Sequence, residues 1–287
     1  MHHIIFCLDN NYLKILPSVL KSFNKTNNIK NFTLNFVISD SKKKLHQNIL
    51  DIAKNISSDF IIRYKYYLPT EEFKQILIEY SNLLFGDKEH IKKQRVYFNY
   101  ANWSRFHIVD LFSDIKKGLY LDLDILFNKN IEDIFKIDID NYMVAVSPYT
   151  KGNKSIITKI RSLDKPSDIL NVNKFFDHFK INREDLNNKH YNCGVMLFNF
   201  ELLKKNNIKN KVEDLLKYMI KYPYIKMSGT QNVQNILIPN YNIFPSSYNY
   251  LQKKNTTNQH IIHFKGIKVL DLLDNPLYIN SLKSILK

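Results

Sequence analysis

The chain has 287 residues, a formal net charge of +15, 44% hydrophobic residues and only two cysteines, Cys7 and Cys193. That hydrophobic share is enough for the core of one large α/β domain or two small ones, whereas two cysteines exclude a disulfide framework or a cysteine-built zinc site. No apolar run approaches the ~18 residues of a spanning helix, and the lysines are scattered in short runs (Lys42 to Lys44, and pairs at 92, 116, 204 and 253) with no arginine-rich block, which argues against nucleic acid as a partner.

The N-terminus, "MHHIIFCLDNN", enters a strand pattern at once, so neither a signal peptide nor a transmembrane segment is expected, and the location reads as cytoplasmic. "HIIFCLD" (His3 to Asp9) is a strand, followed by a helical stripe at Ile15, Leu16, Val19, Leu20 and Phe23 that tolerates Pro17 in its first turn. "FTLNFVIS" (Phe32 to Ser39) is a second strand, with Ser39 or Asp40 placed to cap the next helix. "DFIIRYKY" (Asp59 to Tyr66) is a third, and a helix starts near Thr70. Another helix, about Asn102 to Phe112, leads into the strand "GLYLDLDILFN" (Gly118 to Asn128), and "YMVAVSP" (Tyr142 to Pro148) follows. The segment from Lys151 to Lys189 is polar and weakly patterned, a lid or an insertion. "CGVMLFNF" (Cys193 to Phe200) restarts the strands. Val212, Leu215, Leu216 and Met219 mark one helix, Val233, Ile236 and Leu237 another, and "HIIHFKG" (His260 to Gly266) is a late strand. Strands alternating with helices predict an α/β fold with a mainly parallel central sheet covered on both faces.

The unusual element is the strand carrying Asp122 and Asp124. Residues two apart in a regular strand point to the same side, and two ionised carboxylates held together repel each other and lose solvation. A divalent cation reverses that penalty, and oxygen donors suit Mg²⁺ or Mn²⁺. The alternative is a strand that ends early, leaving two solvated aspartates in a turn. "CLDNNY" ends the first strand with Asp9, Asn11 and Tyr12, where an acidic or amide group can meet a base or ribose edge and a tyrosine can stack; taken alone, Asp9 reads as a helix N-cap. Arg105 lies on the apolar face set by Ile108, Val109 and Phe112, so it needs an inward anion, a carboxylate or a phosphate. "HFKGIK" offers His263 as a nitrogen ligand, Gly266 for close backbone approach and Lys268 as a phosphate-binding charge.

In their order, "FCLDNNY", "NWSRFHIVDLF", "YLDLDILF", "YNCGVMLFN", "TQNVQN" and "HFKGIK" resemble glycosyltransferase family 8, retaining enzymes that include lipopolysaccharide galactosyl- and glucosyltransferases and glycogenin. The resemblance runs from about residue 4 to residue 268. It implies a GT-A fold with a Rossmann-like nucleotide-binding half, a UDP-sugar donor and Mn²⁺ (or Mg²⁺). By position, Asp122, Asp124 and His263 would be metal ligands. Cys7, Asp9, Asn11, Tyr12, Arg105, Asp122, Leu123, Asp124, Gly266 and Lys268 would bind the donor nucleotide, and Arg105, Asn192 and Gln231 would act at the sugar. The neutral carbonyl oxygen of Gln231 is expected beside the anomeric carbon. One domain over residues 1–287 is expected, with a nucleotide-sugar half at 1–128 and an acceptor-side half at 129–287 that ends in the metal-binding loop.

Two positions depart from the family pattern. Thr230 stands where an aspartate usually precedes the glutamine, and in "HFKGIK" the lysine follows the glycine by two residues instead of three, without the usual Pro-Trp. The expected activity is transfer of a hexose from UDP-glucose or UDP-galactose to a glycan, protein or lipid-linked acceptor. A non-catalytic nucleotide-sugar-binding or carbohydrate-binding relative, or another metal-dependent nucleotide-sugar enzyme, are the alternatives. The positive charge would suit contact with an anionic membrane surface, although no amphipathic helix marks one.

Overall fold

The computed structural model describes residues 1–39, 44–85, 100–148, 155–156, 166–182, 184–223, 229–251, 258–267 and 269–287. Its strands are β1 (His2–Leu8), β2 (Phe32–Ile38), β3 (Ile61–Tyr66), β4 (Lys117–Leu121), β5 (Ile125–Phe127), β6 (Val144–Pro148), β7 (Tyr191–Asn199), β8 (Asn242–Ile243), β9 (Tyr250–Leu251) and β10 (Ile261–His263). The helices are α1 (Leu16–Thr26), α2 (Leu45–Lys54), α3 (Glu71–Phe85), α4 (Tyr100–Ser104), α5 (Ile108–Leu111), α6 (Pro166–Phe179), α7 (Phe200–Lys205), α8 (Ile208–Lys221), α9 (Thr230–Leu237), α10 (Val269–Leu272) and α11 (Pro276–Leu286).

The main sheet has the order β3-β2-β1-β4-β7-β6-β8. Its first four strands are parallel, and β7 runs antiparallel between β4 and β6. A second sheet has the order β5-β10-β9. Strand alternation explains why both faces of the main sheet are covered: Ile5 and Cys7 of β1 enter one apolar cluster, and Ile4, Phe6 and Leu8 enter the other. The first cluster includes Phe73 and Tyr80 of α3 together with Val212, Leu215 and Met219 of α8, and the second includes Val19, Leu20 and Phe23 of α1. Helices on both faces of a mainly parallel sheet give the α/β architecture expected from the alternating pattern. No helix among the described residues is long and apolar enough to cross a membrane.

Several expectations require correction. The segment Gly118 to Asn128 is not one strand: the chain leaves the ladder after Leu121, and β5 belongs to the second sheet. Ser39 does not cap α2, because its amide extends the β1–β2 ladder to Leu8 O at 2.8 Å and α2 begins at Leu45; Asp40 lies outside the described residues. The helix from Asn102 to Phe112 is two short helices, α4 and α5, with a turn at Arg105–His107. The described part of Lys151 to Lys189 includes α6, whose Phe175, Phe176 and Phe179 are buried in the first cluster. Residues 151–154, 157–165 and 183 lie outside the description.

The turn between α4 and α5 buries His107, whose Nε2 is 2.9 Å from the Tyr67 hydroxyl. Burial and the nearby Lys209 hold its imidazole down to about 4. An unfolded histidine takes up its proton near pH 6.5. The unfolded chain therefore binds the extra proton between those values, so this site contributes stability above pH 6.5 that is lost as pH falls toward 4. Melting curves of the wild type and of His107→Gln between pH 7 and 4.5 should diverge. The wild type should lose the larger share of its stability, by up to roughly 3 kcal/mol more than the variant.

Candidate active site

The break after β4 creates the site. The Asp122 amide donates to Gly194 O of β7 at 2.8 Å, which ends the main-sheet ladder, and the Asp124 carbonyl accepts from the Phe264 amide just after β10 at 2.8 Å. The two aspartates therefore sit in the link between two sheets, each pinned through its backbone to a different one. Neither is the solvated turn residue of the early-ending strand, since their side chains are 29% and 19% exposed.

Asp122 meets Arg105. Its Oδ1 accepts from Arg105 Nη2 at 3.2 Å and from the Tyr120 hydroxyl at 2.7 Å. The guanidinium also donates to Asn102 O at 2.9 Å and Cys193 O at 3.2 Å, and it lies over the Tyr120 ring, 4.8 Å from its centroid. Burial works against this charge, but Tyr120 and Asp122 outweigh it and raise the pKa further. The inward arginine is thus answered by a carboxylate.

Asp124 meets His263, whose Nε2 lies 3.2 Å from Asp124 Oδ1. The ring is 1% exposed and packs on β7 where Gly194 leaves space: a Cβ at Gly194 would lie 2.2 Å from His263 Cε1. Burial opposes the imidazolium, yet the Asp124 carboxylate dominates and holds the His263 pKa above its ordinary value. Reciprocally, burial opposes the Asp124 charge, and His263 keeps that carboxyl below its usual range.

One ligand atom from each of Asp122, Asp124 and His263 lies within 4.8 Å of the others. Two carboxylate oxygens and one imidazole nitrogen, converging on one point, fit a divalent cation such as Mn²⁺ or Mg²⁺.

The remaining predicted residues divide. Tyr12 belongs to the site's electrostatic surroundings, since burial first and then Asp122, Asp124 and Asp9 push its hydroxyl above its ordinary value. Asp9 caps the 3₁₀ turn Asn10–Lys14, accepting from the Asn11 amide at 2.8 Å and the Asn11 Nδ2 at 3.4 Å. Cys7 and Leu123 are buried in opposite clusters, and burial pushes the Cys7 thiol up to about 12, so their side chains are core groups. Gly266 takes φ +87° in the turn after β10, a conformation that favours glycine. Lys268 lies outside the described residues. Asn192 and Gln231 meet: Asn192 Nδ2 donates to Gln231 Oε1 at 3.1 Å, and Lys265 Nζ approaches the same oxygen at 3.3 Å. Thr230 is buried in the first turn of α9.

Sequence reasoning missed Tyr120, Gly194, Asn249 and Lys265. Tyr120 was signalled by strand alternation, two residues before Asp122. Gly194 was signalled by a glycine inside an apolar strand, a mark of close approach. Asn249 carried no local signal. Its Oδ1 lies 2.8 Å from His263 Nδ1, across fourteen residues of chain.

Comparisons with known proteins bear on the fold and the family. A Haemophilus influenzae protein named as a candidate glycosyltransferase is 24% identical over 261 residues, covering 88% of this chain and 66% of its own length. General stress protein A of Bacillus subtilis is 25% identical over 217 residues, covering 73% of this chain and 60% of its own. The chain thus spans about two thirds or less of the length of these curated relatives. The galactosyltransferase LgtC, solved with donor and acceptor sugar analogues, superposes with a TM-score of 0.59 at 16% identity, covering 92% of this chain and 87% of that one. It shares the fold, the GT-A architecture expected from the motifs. The family model described as glycosyl transferase family 8 matches residues 3–268, and the chain belongs to that family.

Proposed function

We propose that this protein is a metal-dependent retaining glycosyltransferase that moves a hexose from a UDP-sugar, UDP-glucose or UDP-galactose, to a glycan, protein or lipid-linked acceptor. The observation that carries the reading is the convergence of Asp122, Asp124 and His263 to within 4.8 Å at the meeting of two sheets. The ligand set draws on both proposed halves, residues 1–128 and 129–287. It lies where the parallel strands end, the usual ligand position in an open α/β sheet.

In this reading Asp122, Asp124 and His263 hold Mn²⁺ or Mg²⁺, which when bound supplies positive charge against the diphosphate of the leaving nucleotide. Arg105 holds the Asp122 carboxylate in place. Gly266 lets the backbone of the following turn approach the diphosphate, and Lys268 adds a charge there. Tyr12, Asp9 and Asn11 form the nucleotide side, where the backbone at Cys7 and Leu123 is the part of those residues that can contribute. Asn192 and Gln231 stand at the sugar. The acceptor hydroxyl approaches the face that the nucleotide leaves, preserving anomeric configuration. Thr230, uncharged and buried, favours a second reading as a nucleotide-sugar-binding relative without transfer. A screen of nucleotide sugars for Mn²⁺-dependent UDP release separates the two readings.

Asp124→Asn keeps the shape but removes the charge that faces His263. Titration of Mn²⁺ in the presence of UDP should show affinity reduced by at least tenfold, about 1.4 kcal/mol. Equal affinity in both proteins would remove the metal from the proposal.

Arg105→Ala strands Asp122 and two carbonyl groups. It should lower stability by about 3 kcal/mol and weaken Mn²⁺ binding as Asp122 loses its orientation. Arg105→Lys should recover part of the stability, because one ammonium cannot reach all three acceptors. A melting curve and a Mn²⁺ titration on the same samples test this. Full stability with lost turnover would instead assign Arg105 to the donor alone.

A further inference from the structure

A chain of hydrogen bonds joins the two ends of the site, and its polarity can be worked out from one donor that cannot be reversed. The Gly194 backbone N–H donates to Asn192 at 2.9 Å, so the accepting atom of Asn192 must be its oxygen, Oδ1. Asn249 also bonds to that oxygen at 2.9 Å and must present its Nδ2 there. The oxygen of Asn249 is then turned to His263 Nδ1, 2.8 Å away, and an oxygen can only accept. His263 therefore carries a proton on Nδ1, and a neutral His263 has its lone pair on Nε2, the atom facing Asp124.

The same logic runs the other way. With Asn192 Oδ1 occupied, its Nδ2 faces Gln231 Oε1 at 3.1 Å, and Lys265 Nζ donates to the same oxygen at 3.3 Å. A flipped Gln231 would set its NH₂ against an amide NH₂ and an ammonium. Gln231 thus commits its oxygen to the protein and leaves Nε2 with no hydrogen bond among the described residues. The oxygen expected beside the anomeric carbon is already in use, and the free group is a donor.

We propose that Asn249 is a positioning residue for both ends of the site: it selects the His263 tautomer that leaves Nε2 free for a metal, and through Asn192 it turns the Gln231 NH₂ toward the donor sugar. The second part rests on the glycosyltransferase reading above. Gln231 then recognises an oxygen acceptor on the sugar or its phosphate. Asn249, 5% exposed and surrounded by these partners, has no path to substrate except through them. Orienting bonds of this kind to a ligating histidine are generally worth ten- to a hundredfold in metal affinity.

Two variants separate the two ends. Asn249→Asp still accepts from His263 Nδ1 but cannot donate to Asn192. It should keep Mn²⁺ affinity within about threefold and lower UDP release from a UDP-hexose by at least about tenfold. Asn249→Leu loses both contacts and should lower Mn²⁺ affinity by about tenfold or more. Calorimetry with MnCl₂, a UDP-release assay and melting curves read these effects. A folded Asn249→Leu with unchanged Mn²⁺ affinity, or Asn249→Asp with unchanged turnover, overturns the proposal. If either variant fails to fold, ¹⁵N-histidine spectra of the metal-free wild type decide, at a pH where the ring is neutral and with His263 assigned through His263→Gln. An Nδ1–H tautomer supports the proposal, and an Nε2–H tautomer overturns it. If the wild type binds no Mn²⁺, the metal-dependent reading fails and the tautomer still judges Asn249.

Discussion

Asp122 and Asp124 repel each other across a partly buried site, and much of the surrounding structure offsets that repulsion. Two unit charges about 5 Å apart cost roughly 3 kcal/mol at an effective dielectric constant of 20, comparable to one or two charge-assisted hydrogen bonds. Each carboxylate accordingly has its own partner, the Arg105 guanidinium for Asp122 and the His263 imidazole for Asp124. Both partners are costly to bury, and each imposes its own condition. Arg105 needs three acceptors, and it finds them from the turn between α4 and α5. His263 needs the space beside β7 that a glycine at 194 leaves.

The meeting of the two sheets follows from the same constraint. A regular strand running on through Asp124 would have left both carboxylates on one face without separate partners. Leaving the ladder after Leu121 ties the Asp122 backbone to β7 and that of Asp124 to the segment after β10. The parallel strands and β7 supply a rigid floor, while β5, β9 and β10, two or three residues each, carry His263 to it. The second half of the chain also brings Asn192, Gln231 and Asn249, so the polar network runs from α9 to β7 and on through the bend at Asn249 to β10. Such a network is high in stakes: one reversed amide would leave its buried neighbours unsatisfied.

Much of the scaffold was legible in the sequence, because strands and helices buried on defined faces write their period into the apolar residues. "FTLNFVI" and the stripe Ile15, Leu16, Val19, Leu20, Phe23 fell within an element or one residue of it. The failures have physical causes. The two short helices around Arg105 share one apolar face, so a break in the backbone left the pattern intact. In α6, a helical stripe of Ile169, Leu170, Val172, Phe175, Phe176 and Phe179 was passed over because polar sequence surrounds it. At "GLYLDLDILFN" the segments on either side of the aspartates are apolar, so hydropathy marks Asp122 and Asp124 without showing that the chain changes sheets there.

The sequence by itself determined which residue types were out of place: two aspartates in an apolar strand, an arginine on an apolar helix face, and a histidine beside a glycine and a lysine. Each is a local contradiction between a polar side chain and an apolar setting, and such contradictions can be read along the chain. Only the tertiary structure decided how they are resolved. The partner of Arg105, the tautomer of His263, the direction of the Gln231 amide and the part played by Asn249 depend on atoms brought together from β4, β7, α9 and the segment before β10. Hydrogen-bond polarity is a property of contacts between distant segments, and no spacing within one segment encodes it.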